Sequence, residues 1–137
     1  MSARIIRIIL LLALAGGIMT LSLLPEVPVD VRFLMGLDKV QHWIAYAGLG
    51  FLVLLTINSS KRMLLFYYAL AVFSCTMYGG LIEVLQGFTG RNPEVADFFV
   101  NLFGSASGGV FAVGFIQISR DRSRKKNRGS SSDCIGS

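Results

Sequence analysis

The sequence predicts an all-α membrane protein, a bundle of four transmembrane helices with both termini in the cytoplasm. Three observations predict it. First, 53% of the 137 residues are hydrophobic and only 15% are charged, against about a quarter charged in soluble domains, and mean hydropathy is +0.63. Second, four apolar stretches approach the roughly 20 residues that cross a bilayer. Third, the basic residues are segregated by side.

The stretches are Ile8–Leu24, Trp43–Ile57, Met63–Ile82 and Phe98–Ile118. The second is short and reaches spanning length if its helix begins at Asp38. Arg4 and Arg7 ahead of the first stretch resemble a signal peptide, with Ala13-Leu14-Ala15 as a mimic of a cleavage site. The apolar run continues to Leu24, so the expectation is an uncleaved first span. Ten of the thirteen basic residues (Arg4, Arg7, Lys61, Arg62 and six between Arg120 and Arg128) fall on one side of a four-span chain. Arg32, Lys39 and Arg91 fall on the other, with Glu26, Asp30, Asp38, Glu83, Glu94 and Asp97. The positive-inside rule then puts the Asn58–Arg62 loop and both ends in the cytoplasm.

The chain thus divides into a transmembrane domain over 1–118 and a basic, disordered cytoplasmic tail over 119–137. A basic run beside a span reads anionic lipid rather than nucleic acid, and no nucleic-acid recognition motif is present. Membrane lipids are therefore the expected partner, and the tail either contacts anionic headgroups or serves only as a topology signal. Cys75 lies within a span and Cys134 in the tail, so no disulfide is expected, and Cys75 reads as a small buried side chain.

Polar residues inside the spans carry the functional information. Asp38, His42 and Tyr46 recur every four residues and share one helix face, Asp38 at the helix start where the dipole favours a carboxylate. The third span ends in Thr76, Gly79, Gly80, Glu83 and Gln86, again one stripe. The fourth opens with Asn92 as N-cap, Pro93 at the first position and Glu94 in the first turn. Asp97 comes a turn inside and Asn101 another turn on. Gly104, Ser105, Gly108 and Gly109 give small-xxx-small spacing for close helix approach. The topology brings Asp38/His42, Glu83/Gln86 and Asp97/Asn101 to one depth near the outer face, beside Arg91 in the outer loop. Ionisable residues at such depth are costly and are functional by default.

Asp38-Lys39-x-x-His42-x-x-x-Tyr46, Glu83-x-x-Gln86, Arg91, Asp97, Asn101 and Gly104, with Ser22-x-x-Pro25 closing the first span, resemble the VanZ-like family over Leu21 to Gly109. Gly87-Phe88-Thr89-Gly90 has no counterpart in that pattern. The resemblance implies a small multi-pass protein of the bacterial cytoplasmic membrane with a cell-envelope role. The family takes its name from an accessory protein of glycopeptide (teicoplanin) resistance. No settled activity comes with the resemblance, and antibiotic resistance depends on the host envelope.

Three roles fit the constellation. In a ligand or catalytic site, His42 is the general acid/base, oriented by Asp38 or Asp97, with Glu83 a further candidate. Arg91 and Lys39 meet an anionic, lipid-linked substrate, with Gln86, Asn101 and Tyr46 lining the site. Alternatively Asp38, Glu83 and Asp97 offer oxygen ligands to a divalent cation, although no cofactor or metal is identified by their spacing. In a structural or partner-docking role, the same groups satisfy one another and fix helix packing, Tyr46 serving as a core aromatic. In transport, four short helices need a homo-oligomer and polar groups at the inner side, where spans two to four have almost none. Trp43 reads as an interfacial belt residue, and Tyr67 and Tyr68 as packing.

Overall fold

All three prolines, Pro25, Pro28 and Pro93, fall between the apolar runs, so nothing interrupts helix inside them. The computed structural model describes residues 3–24, 31–57, 63–88 and 94–133, with side chains over 3–24, 39–57, 63–88 and 94–125. Its elements are four helices: α1 (Ala3–Leu23), α2 (Val31–Thr56), α3 (Leu64–Phe88) and α4 (Val95–Asp133), with no strand among the described residues.

Three boundaries differ from the sequence expectation. α2 begins at Val31, so Asp38 sits two turns inside it and not at its start. Val31 to Leu37 is mostly apolar and proline-free, which lets the helix extend backwards. α4 begins at Val95, placing Asp97 in the first turn, with the Asp97 amide donating to the Glu94 carbonyl at 2.9 Å. At its other end α4 passes Ile118 and continues to Asp133, where a disordered tail is expected. Arg and Lys are good helix formers, and Asp121 and Lys125 have the i, i+4 spacing that supports a helix. Pro is absent from 119–133 and Gly129 is the first glycine there.

Side-chain pairings give the helix directions. His42 meets Asn101 and Phe51 meets Phe115, so α2 and α4 are parallel. Tyr78 meets Ala15 and Gln86 meets Ser22, so α1 and α3 are parallel. Arg7 Nη1 donates to the Leu55 carbonyl at 2.6 Å, joining the start of α1 to the end of α2. The helices therefore alternate in direction. α2 touches all three others, while α1 and α4 do not touch among the described residues. The cross-section is a lozenge with α2 and α3 on its short diagonal.

Glycine makes the α2–α4 contact a backbone one. A Cβ on Gly104 would lie 2.7 Å from the Trp43 carbonyl oxygen, and one on Gly50 would meet the Ser105 carbonyl. A Cβ on Gly108 would overlap the Ala47 carbonyl. The Gly104/Gly108 spacing thus serves close approach as expected, and its partner is α2.

The packing is polar inside and apolar outside. Leu65, Phe88, Phe103 and Phe111 are 78%, 84%, 65% and 68% exposed, whereas Asn101 and Ser105 are 1% and 0% exposed. Such an apolar exterior is what hydrocarbon requires and water penalises. α1, α3 and α4 (as Val95–Lys125) are long and apolar enough to cross a membrane, the mark of a membrane protein. Over its described residues α2 is not among them, because Lys39, Gln41 and His42 dilute its hydropathy.

Two buried clusters fill the interior. Ile18, Tyr46, Leu49, Cys75 and Ile82 form one. Leu54, Ala71 and Ala112 form the other, towards the basic end, with Tyr67 and Tyr68 packed on it. Cys75 is buried, while Cys134 lies outside the described residues. Tyr78 Oη donates to the Ala15 carbonyl at 2.7 Å, a single stitch between α1 and α3. Polar contacts of this kind in membranes average about 0.6 kcal/mol. Tyr78→Phe should therefore shift a detergent unfolding midpoint only slightly. A loss above about 2 kcal/mol would exceed a single hydrogen bond and give Tyr78 a larger role.

Candidate functional site

Because α2 and α4 run opposite to α1 and α3, the beginnings of one pair meet the ends of the other. At that end the polar stripes converge. His42 projects from α2 and its Nδ1 lies 3.2 Å from Asn101 Oδ1 on α4. Asn101 Nδ2 donates in turn to Glu83 Oε1 on α3 at 3.3 Å. That second bond orients the amide, so the oxygen facing His42 is an acceptor and Nδ1 carries the hydrogen. In the neutral ring Nε2 is then the basic nitrogen. An imidazole, an amide and a carboxyl group form one chain across three helices.

Burial and shape hold the chain in place. Asn101 is 1% and Glu83 9% exposed. Gly79 supplies the room: a Cβ there would stand 2.6 Å from Asn101 Nδ2 and 2.9 Å from the Tyr46 hydroxyl. Tyr46 itself is fully buried one turn from His42, the rings stacked with centroids 6.3 Å apart and planes 13° apart. Deeper still, the hydroxyls of Thr76 and Ser105 are 3.5 Å apart.

The remaining expected residues surround this chain. Gln86 is buried and its Nε2 donates to the Ser22 carbonyl at 2.9 Å, tying α3 to α1. Asp97, half-buried in the first turn of α4, is close enough to act electrostatically on Glu83, as is His42. Lys39 forms an ion pair with Glu94 at 2.9 Å, both side chains about two-fifths exposed, at the rim. Exposed pairs of this kind contribute about 0–1 kcal/mol. Asp38 belongs to α2 by its backbone, but its side chain and the whole of Arg91 lie outside the described residues.

A cleft of about 120 Å³ opens between α1 and α2 beside His42. Its walls are Ile18, Leu21, Ser22, Gln41, Ala45 and Tyr46, with His42 itself. The histidine therefore faces two ways, towards the buried Asn101–Glu83 pair and towards an open cleft. Among the described residues no group of three His, Cys, Asp or Glu is placed to hold a metal ion. The divalent-cation reading needs Asp38 beside Glu83 and Asp97.

Sequence reasoning left four contributors unassigned. Glu94 is the partner of Lys39, and parallel α2 and α4 would have put these oppositely charged residues at one depth. Gly50 lies one turn beyond Ala47 and extends the small-residue stripe that faces Gly104 and Gly108. Gln41 and Ser22 wall the cleft; no local pattern marks Gln41, and Ser22-x-x-Pro25 marks the close of the first span and not a cleft, which exists only where α1 meets α2. No protein-family model, curated protein or solved structure matches the chain.

Proposed function

We propose that this is a VanZ-like, four-span protein of a bacterial cytoplasmic membrane, whose polar end is an outward-facing site that binds or acts on a lipid-linked, anionic envelope substrate. One observation carries the site: His42 joins a cleft open between helices to a buried Asn101–Glu83 pair. Nε2 is the ring nitrogen that accepts a proton from a substrate hydroxyl or a water. Nδ1–H, held by Asn101, fixes the ring for that exchange, and Glu83 behind it stabilises the positive charge that develops. Lys39 at the rim and Arg91, which the sequence places between α3 and α4, supply cations for a phosphate or carboxylate.

The membrane arrangement has its own support. The 26 residues of α2 reach about 39 Å at 1.5 Å per residue, more than the roughly 30 Å hydrocarbon core. Within it His42 meets Asn101 of α4, Lys39 pairs with Glu94, and Tyr46 is fully buried. Arg4, Arg7, Arg120, Arg122, Arg124 and Lys125 all belong to the opposite end of the bundle, which is the cytoplasmic one by the positive-inside rule. That half of the interior is filled by Leu54, Ala71 and Ala112 with aromatic neighbours. Such a plug argues against a continuous polar path and hence against a transporter.

A structural role is the second reading. It is favoured by the bond of Tyr78 to Ala15, which joins α3 to α1 without facing the cleft. A deletion strain complemented with His42→Ala, Glu83→Gln or Asp97→Asn separates the two. Glu83→Gln keeps an acceptor for Asn101 and removes only the ionisable group. All three variants are expected to reach wild-type membrane abundance yet fail to restore glycopeptide and envelope-stress profiles. Full complementation by all three would leave the cluster a packing device.

A further inference from the structure

Towards the basic end a groove of about 430 Å³ opens between α3 and α4. Leu64, Leu65, Tyr68, Val110 and Val113 line it, with Gln117 as a polar wall at one end. Tyr68 Oη is engaged by the Ala106 carbonyl at 3.2 Å, so the floor of the groove is held in place. Leu65 and Val110 are 78% and 60% exposed, so the groove is open to the surrounding hydrocarbon.

The continuation of α4 beyond Gln117 gives the groove an owner. Val110, Val113 and Gln117 define a stripe, and steps of three and seven residues from Gln117 place Arg120 and Arg124 on its extension. Arg120 and Arg124, with Ser119 and Ser123, border an open hollow there. The helical stretch past Ile118 is what makes this possible, since a disordered tail would hold no guanidinium at a fixed distance from the groove. An apolar trough that ends in an amide, two guanidinium groups and two hydroxyls matches one amphiphile: an acyl chain joined to a phosphate.

We infer that the α3–α4 groove is a binding site for an anionic phospholipid, with an acyl chain along Leu65, Tyr68, Val110 and Val113 and the phosphate at Gln117, Arg120 and Arg124. This site lies at the opposite end of the bundle from His42 and does not depend on the proposed activity, only on α3 and α4 lying in a membrane. Guanidinium groups bind phosphate in bidentate fashion, and each basic residue near the headgroups favours an anionic lipid about fivefold.

The test is native mass spectrometry of the full chain purified in detergent, titrated with dioleoyl-phosphatidylglycerol or dioleoyl-phosphatidylcholine. One phosphatidylglycerol per chain is expected, bound at least about tenfold more tightly than phosphatidylcholine. Arg120→Ala and Arg124→Ala should each reduce that preference about fivefold, with a smaller loss for phosphatidylcholine, whose choline offsets the phosphate charge. Val110→Trp, at an exposed position that fills the groove, should weaken both lipids with the arginines intact. Equal binding of the two lipids would overturn the site. So would phosphatidylglycerol binding of undiminished strength in Val110→Trp, which would mean adhesion to the basic helix alone. A lipid-free dimer dissociated by Val110→Trp would assign the groove to a second copy of the chain instead.

Discussion

Gly108→Ala should dismantle the contact between α2 and α4. The added Cβ overlaps the Ala47 carbonyl, and a backbone atom in the middle of a packed helix has no rotamer through which to retreat. The helices must separate, and His42–Asn101, Lys39–Glu94 and Gly104–Trp43 all depend on the same spacing. Overpacking of ordinary cores costs about 1–3 kcal/mol, occasionally more, and the backbone collision puts this case at or above about 3 kcal/mol. Fluorescence-detected size exclusion after heating, together with membrane abundance, reads the loss. Gly114→Ala on the same helix is the control, since nothing lies within 4 Å of its Cβ. Alanine is favoured over glycine in a helix by about 1 kcal/mol, so that variant should match or exceed wild type. If the two variants behave alike, the seam is looser than the carbonyl contacts require.

Asn101→Leu is expected to have the second largest effect, and on stability as well as function. The side chains are similar in size, but leucine offers no acceptor to His42 and no donor to Glu83. Losing the partner of a buried polar group costs about 1–3 kcal/mol, and here the substitution removes a partner from two groups at once. A destabilisation of about 2 kcal/mol or more is expected in a detergent unfolding titration, with failure to complement a deletion strain. A double-mutant cycle with Glu83→Leu identifies the source. If the Asn101–Glu83 bond carries the effect, the double mutant should recover at least about 1 kcal/mol relative to the sum of the singles. Additive losses would instead show that Asn101 acts through packing alone.

Much of this arrangement is legible in the residues. The i, i+4 stripe of His42 and Tyr46, the Glu83/Gln86 step and the Asp97/Asn101 step each fix a face, and the alternation of four helices brings those faces to one end. Gly104 and Gly108 announce a close approach without naming the partner, because small-residue spacing on one helix carries no information about its neighbour. Lys39 is legible as a cation at the site, but its pairing with Glu94 depends on the register between α2 and α4, which neither helix encodes alone. The starts of α2 and α4 are misplaced by the local signals: the dipole preference of Asp38 is weaker than the helical continuity of Val31 to Leu37. The end of α4 is misread for the opposite reason, since polarity marks where a membrane stops and not where a helix does. Gln41, Ser22 and the cleft they enclose arise from how α1 leans on α2, a tertiary property without a linear signature.

The parallel pairing of α2 with α4 has a consequence for how the protein is made. Chain synthesis delivers α2 before α3 and α4 exist, with Lys39, Gln41 and His42 on it, and over its described residues α2 is not among the helices apolar enough to cross a membrane. Its closest neighbour, the backbone stripe from Gly104 to Gly108, emerges only after an entire further helix has been built. Until then α2 can rest only on α1 and then on α3, and its histidine has yet to meet the Asn101 amide. Biogenesis of this chain therefore includes a capture step, in which α4 secures α2, and the polar centre comes into being only once α4 has been made.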